Sequence, residues 1–261
     1  MKTWLLIPDP HAHPHYDNDR FTWLGKHIVK NRPDIVVCIG DWADMPSLSS
    51  YDKGKKSFEG RRYKADIEAS LDAQQKMFAP LNSLQSRQRK NKDKVYKPKL
   101  VMTLGNHEDR INRVINDEPQ LDGTIGIHDL KYEDAGWEVV GFGEIVEIHN
   151  WQFTHYFATG VSGRPISGEN IAKTLLAKNF MSCVQGHSHI VDYAQRTAAN
   201  GDKLHGMSIG CYCHPDMIEG WNRNTQRMWW HGVVEMITDD KGRLYSMNMI
   251  EQSLLKQQYG K

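Results

Sequence analysis

Apolar and polar positions alternate in short blocks along this chain, and most apolar blocks close on glycine, asparagine or aspartate. Thr3–Ile7 is an apolar run that stops at Pro8-Asp9-Pro10, as a buried strand stops before a loop. Arg20–Asn31 sets Phe21, Leu24, Ile28 and Val29 at helical spacing. After Pro33, Asp34–Ile39 predicts a second strand ending at Gly40-Asp41. This opening predicts an α/β sheet. Lys64–Leu84 brings Ile67, Leu71, Phe78 and Leu81 to one helical face, with Pro80 marking a kink or break. Arg87–Lys99 reads as a basic linker, and Lys99–Leu104 as a third strand ending at Gly105-Asn106. Trp137–Phe142, Ile145–His149 and Trp151–His155 predict consecutive strands, and Glu169–Lys178 a helix. Ser182–Gln185 predicts a short strand ending at Gly186-His187. His205–Cys213, Gly232–Ile237 and Leu244–Met249 predict further strands, the last two joined by a turn at Asp239–Gly242.

Residues able to bind metal recur just after these strand ends. In α/β sheets the ligand site forms outside the carboxyl ends of the strands, so such residues are expected to converge. The segments are Asp9-Pro-His11, Gly40-Asp41-Trp-Ala-Asp44, Gly105-Asn106-His107-Glu108-Asp109, His155, and Gly186-His187-Ser-His189. A single D-x-H or G-N-H triplet is weak, but all five in this order, each at a strand end, form a strong pattern. The pattern resembles the calcineurin-like metallophosphoesterase superfamily over about Thr3–Gly210. That resemblance implies an α/β fold of four layers, α/β/β/α, with two mixed sheets packed face to face. It would form one domain over 1–261, with a partly helical basic insertion at about 53–99.

The resemblance also implies a site. Two divalent metals need a bridging carboxylate, for which Asp41 is the candidate. Asp9, His11 and His189 would complete one metal site, and Asn106, His155 and His187 the other. Mixed imidazole, carboxylate and amide ligands point first to manganese, with iron, zinc, nickel or magnesium as alternatives. His107 would contact phosphate and protonate the leaving oxygen, with Asp44 orienting its ring. His155 has no motif around it, and His149 and His128 stand as substitutes. His13 and His15 read as a solvated loop.

Acidic and basic residues nearly cancel, at a formal net charge of +1, which argues against a surface built wholly for nucleic acid. Cys38 and Cys183 lie in apolar runs and read as buried small residues. Cys211 and Cys213 have no second pair to complete a zinc framework. No apolar run is long enough for a membrane span, and a cytoplasmic protein without disulfides is expected.

Substrate signals are sparser. Relatives that are protein phosphatases carry Arg-Gly after G-D-x-x-D, where this chain has Met45-Pro46. Arg110 offers a phosphate contact or an exposed helix residue with equal claim. The basic Arg87–Lys99 stretch reads as a solvated loop or as a track for a nucleic-acid backbone. The Trp/Arg-rich segment 220–232 holds Trp221, Trp229 and Trp230 with Arg223 and Arg227, which would stack bases and hold phosphates, or else pack. The expected function is metal-dependent hydrolysis of a phosphate ester, a nucleotide or nucleic-acid diester somewhat ahead of a phosphomonoester. A non-catalytic scaffold of the same fold is the alternative from another class.

Overall fold

The structure, a computed structural model, describes residues 1–217 and 226–260. Strands β1 (Lys2–Ile7), β2 (Ile35–Cys38), β3 (Lys99–Thr103) and β4 (Glu138–Val140) run parallel in that order. β12 (Gly232–Thr238) pairs antiparallel with β1, and β13 (Leu244–Glu251) pairs antiparallel with β12. A second sheet has the order β10 (Val191–Thr197), β11 (Lys203–Ile209), β9 (Ser182–Gln185), β6 (Trp151–Phe153), β5 (Val146–Ile148). A small hairpin, β7 (Ala158–Thr159) with β8 (Arg164–Pro165), stands apart. Both main sheets mix parallel and antiparallel pairs.

Side chains alternate across a strand, and here both faces of the first sheet are apolar. Leu5, Ile7, Val36, Cys38 and Met102 face helices α1 (Asp19–Asn31) and α2 (Tyr63–Asn91). Trp4, Leu6, Ile35, Val37, Ile39 and Val101 pack instead on Trp151, Phe153, Val184 and Met207 of the second sheet. Trp4 stacks on Phe153 at 5.8 Å and donates its indole N–H to Thr238 Oγ1 at 2.9 Å. Helix α4 (Ile171–Asn179) buries Ile171 and Leu175 with Cys183 against the second sheet. Parallel strands carry their carboxyl ends to a common edge, so Ile7, Cys38 and Thr103 of one sheet deliver the loops that follow them to one place. Phe153 and Gln185, ending parallel strands of the second sheet, do the same.

Several expected boundaries moved for tertiary reasons. α2 runs unbroken through Pro80 to Asn91, because Ala73, Met77, Phe78, Leu81 and Leu84 are buried in the core on either side of it. Arg87–Asn91 is therefore helix rather than linker. Gln85 Nε2 donates to the Tyr96 carbonyl and Gln88 Oε1 accepts from Tyr96 N–H, which pins the helix end to the returning chain. The strand expected at His205–Cys213 ends at Ile209, where Gly210 turns with φ +75°. Helix α3 (Asp109–Asp117) was expected only as one of two settings for Arg110, and helix α5 (Gln252–Tyr259) and strand β10 were not expected. α3 sets Ile111, Val114 and Ile115 at helical spacing but buries only Ile111, and β10 is mostly exposed. No helix among the described residues is long and apolar enough to cross a membrane.

One contact is unusually close. A Cβ at Gly25 on α1 would collide with the Met77 carbonyl on α2, so the two helices approach backbone to backbone there. Gly25→Ala is expected to cost about 1–3 kcal/mol of stability through overpacking. A lower urea midpoint at unchanged slope would report it, and an unchanged midpoint would mean that the helices separate without penalty.

Candidate metal centre

Asp9, His11, Asp41, Asn106, His155, His187 and His189 all lie in the loops at the common strand edge. Asp9, Asp41 and His155 are fully or almost fully buried, as are His11 and His189. Five of these residues, Asp9, His11, Asp41, His187 and His189, hold positive φ between 35° and 66°. That region is strained for residues with a Cβ, at about 1–3 kcal/mol each. The strain is held by neighbouring backbone: His11 N–H donates to the Asp41 carbonyl at 2.8 Å and Ala12 N–H to the Trp42 carbonyl at 2.7 Å. Gly105 is required by close approach, since a Cβ there would strike the Asp41 carboxylate.

The donor atoms form two overlapping groups. Asp9, His11 and His189 make one, and Asp41, His155 and His187 the other, with Asp41 also grouped with His11 and His107. His11 Nε2 lies 3.1 Å from His189 Nε2. His155 Nε2 lies 2.9 Å from Asn106 Oδ1 and 3.2 Å from His187 Nδ1. Asp41 Oδ2 stands between the groups, 3.3 Å from His155 Nε2 and 3.8 Å from His11 Nε2.

The far nitrogens of the key rings are already committed. His11 Nδ1 sits 2.8 Å from Asp44 Oδ1, and His155 Nδ1 sits 2.8 Å from the Ile39 carbonyl. With their protons on Nδ1, both rings turn Nε2 lone pairs toward other acceptors. Such convergence of lone pairs is unfavourable unless a cation or a proton lies among them. Ligands about 2.0–2.2 Å from an ion stand roughly 3.0–3.5 Å from one another, the separations found here. The residues therefore fit a pair of metal ions.

Electrostatics point the same way. Burial pushes the Asp9 carboxyl up to about 7, against the pull of His155. Burial also opposes ionisation of Asp41, yet His155, His107 and His11 hold it well below the usual carboxylate range. Burial would lower His11, but the hydrogen bond and charge of Asp44 and the charge of Asp41 raise it to about 10. Burial likewise opposes charge on His155, which Asp41 raises to about 9. Burial and the neighbouring His155 lower His187 to about 4. The positive charge is thus favoured at His11 and His155 and disfavoured at His187.

His107 lies beside this cluster, its Nε2 3.8 Å from Asp41 Oδ2 and its Nδ1 2.7 Å from the Asp44 carbonyl. Asp44 reaches both His107, at 3.2 Å, and His11. Arg110 is half-buried. It donates to the Asp44 carbonyl at 2.8 Å and the Met45 carbonyl at 3.1 Å, with Nη2 3.1 Å from His107 Nε2. His13, expected in a solvated loop, is half-buried with Nε2 3.7 Å from Asp44 Oδ2, whereas His15 is exposed. His149 sits on the β5–β6 turn against the Asp240 carbonyl, and His128 is exposed; neither joins the cluster. Trp229 packs edge-on to His189 at 4.2 Å, Trp230 packs on the core between the sheets, and Arg227 is exposed. Trp221 and Arg223 lie outside the described residues. The exposed basic side chains of Arg87–Lys99 lead into the amino end of β3, one strand length from the cluster at its carboxyl end.

The pattern of residue types gave no role to Glu108. Fully buried, its carboxylate accepts N–H bonds from Asp41 at 3.0 Å, Ala43 at 2.9 Å and Gly105 at 2.9 Å, and the Tyr132 hydroxyl at 3.1 Å. It ties the Asp41 loop to the Asn106 loop. The acidic residue that ends the G-N-H-E run was the available signal.

Residues 3–191 match the family model described as calcineurin-like phosphoesterase. Among solved structures the chain is similar to Yfce, a phosphoesterase from E. coli, at 13% identity and a TM-score of 0.36, covering 95% of this chain and 100% of that one. It is also similar to a 5'-nucleotidase precursor from Thermus thermophilus, at 12% identity and a TM-score of 0.34, covering 98% of this chain and 57% of that one. Among curated proteins none matches.

Glu108→Gln is expected to turn an amide NH₂ toward N–H donors and leave one or two of them unpaired. A loss of roughly 2–3 kcal/mol should follow, with fewer metal ions retained per chain. Denaturant unfolding and elemental analysis check both, and wild-type values for the variant would remove the clamp role.

Proposed function

Since the chain belongs to the calcineurin-like phosphoesterases, we propose that it hydrolyses a phosphate ester using two divalent metal ions. Asp9, His11 and His189 would hold one, Asn106, His155 and His187 the other, and Asp41 both. The observation that carries this reading is the position of Asp41 Oδ2 between two groups of converging donors. Manganese suits this mixed nitrogen and oxygen set, as do iron and zinc. Bound there, the ions supply Lewis acidity and a water of lowered pKa.

The protein's own residues do the positioning. Asp44 and the Ile39 carbonyl fix the ring tautomers of His11 and His155, so that Nε2 of each is free for a ligand role. His107 gives Nδ1–H to the Asp44 carbonyl, which aims Nε2 toward Asp41 and the reacting phosphate. We assign His107 the proton delivered to the leaving oxygen. In the substrate-free arrangement Arg110 Nη2 donates to that same Nε2. A phosphate oxygen would take over this donor once Nε2 carries its proton, which makes Arg110 a phosphate contact as well as a loop clamp.

For the substrate, a nucleotide or phosphodiester remains our preference over a small phosphomonoester. The support is a cavity of about 430 Å³ beside His187, lined by Thr159, Arg164, Pro165, Ile166, Ser167 and Thr174. It offers largely apolar room, with a few polar groups, for a part of the substrate beyond the phosphate. The basic Arg87–Lys99 stretch lends no support, since it enters the far end of β3. A scaffold without activity is disfavoured because no residue of the expected ligand set is missing.

Hydrolysis of a chromogenic phosphodiester and its matching monoester, with and without Mn²⁺, tests the reading. Metal-dependent diester cleavage is expected. Monoester cleavage alone would move the assignment to a phosphatase, and no cleavage of either by the metal-loaded protein would overturn it. Asp41→Asn should bring turnover to background with loss of bound metal; near-normal turnover would end the two-metal assignment. His107→Ala should keep its metal and lose roughly 10²–10⁴-fold in turnover, most on poor leaving groups. Loss of metal in that variant would make His107 a ligand instead.

A further inference from the structure

Beyond Gly210 the chain leaves β11, and Cys211 forms an isolated parallel bridge with His231 at the entrance to β12. Cys211 and Cys213 alternate, so both thiols leave the same side of the backbone while Tyr212 turns into the core under α1. Their sulfurs are 3.4 Å apart, and Cys213 Sγ lies 3.8 Å from His231 Nε2. One ligand atom from each of the three residues falls within 4.8 Å of the other two. Both cysteines are fully buried, unlinked to each other, and in a pocket with Met217, Tyr16 and Trp229.

We propose that Cys211, Cys213 and His231 form a separate site for one thiophilic divalent cation of the zinc class. Tetrahedral coordination with metal–sulfur near 2.3 Å and metal–nitrogen near 2.0–2.1 Å puts sulfurs roughly 3.7 Å apart and sulfur and nitrogen roughly 3.5 Å apart. The two separations made by Cys213, 3.4 Å to the Cys211 sulfur and 3.8 Å to His231 Nε2, differ from these by a few tenths of an ångström, and all three donors lie within 4.8 Å of one another. Binding releases the two thiol protons to solvent, and the cation takes two thiolates and one neutral imidazole.

A second observation concerns the backbone that carries the thiols. Arg20 is 1% exposed, and its guanidinium donates only to backbone carbonyls: Tyr212 at 3.0 Å, Asp17 at 2.7 Å, Pro10 at 2.9 Å and His11 at 3.0 Å. Among the described residues no carboxylate lies within 4.0 Å of it. This buried guanidinium holds the carbonyl of Tyr212, the residue between the two cysteines, and so fixes the backbone that presents both thiols. An entry path exists too. His231 is partly exposed and lines a cavity of about 770 Å³, shared with Arg20, His214, Trp229 and Trp230.

The site would brace the main centre without joining it. Trp230 N–H donates to the His189 carbonyl at 2.9 Å, and Tyr212 N–H to the Asp9 carbonyl at 3.2 Å. A cation linking the segment 211–213 to His231 thus ties together the backbone behind two residues of the phosphoesterase centre.

Co²⁺ titration of the reduced protein tests this independently of activity. Wild type is expected to show a thiolate-to-cobalt charge-transfer band in the near ultraviolet and to bind one equivalent more than the double variant Cys211→Ser, Cys213→Ser. Asp41→Asn should keep that band while losing metal from the phosphoesterase centre, so the two assignments fail separately. A measurement needing no variant is the alkylation rate of the wild-type thiols with and without Zn²⁺. Protection of two thiols by one equivalent is expected. Absence of the band in wild type, its persistence in the double variant, or unprotected thiols would each overturn the proposal.

Discussion

The carboxylate of Asp41 is the constraint around which the rest is arranged. Burying an ionised carboxylate costs several kcal/mol unless charges and donors surround it. Asp41 receives the His107 N–H at 2.9 Å on one oxygen and faces imidazoles of both ligand groups with the other. It sits in a left-handed backbone conformation, between a strand end and a loop whose own N–H groups are taken by Glu108. Removing any of these supports leaves a buried charge or a buried donor uncompensated. The parallel strands supply the rigidity that such an arrangement needs, because both sheets end their strands at this edge with a continuous apolar layer behind them.

This placement explains a division of labour among residues of one type. Histidines whose Nδ1 is anchored, to Asp44 or to the Ile39 carbonyl, turn Nε2 inward. His107 is anchored instead on a backbone carbonyl, that of Asp44. Asp44 belongs to both arrangements and so couples the geometry of His11 to that of His107. Arg110 then links His107 to the Asp44 and Met45 carbonyls through one guanidinium.

Much of this was legible in the order of residues, and the limits have physical causes. Short apolar runs that end on Asp9, Asp41, Asn106 and His187 announce strands and their loops, because a buried strand has few alternatives to leaving the sheet at a polar residue. His155 was legible only as a histidine at the end of such a run, yet it falls into the cluster. What depends on tertiary partners was not visible. Glu108 and Tyr132 are 24 residues apart, and their bond exists only after the loops are packed. The end of α2 is set by Gln88 and Tyr96, so a basic composition alone suggested a linker. Cys211 and Cys213 looked incomplete because His231, which lies beside Cys213, comes 18 residues after it, just before β12. Among the elements not expected, α5 and β10 bury few side chains and so left little mark on the sequence.

Anomalous diffraction from crystals equilibrated with Mn²⁺ addresses the two-ion centre most directly. Two peaks should flank Asp41 Oδ2 about 3.5–4 Å apart, one among Asp9, His11 and His189 and the other among Asn106, His155 and His187. A single peak, or peaks that leave Asp41 without a metal contact, would contradict it.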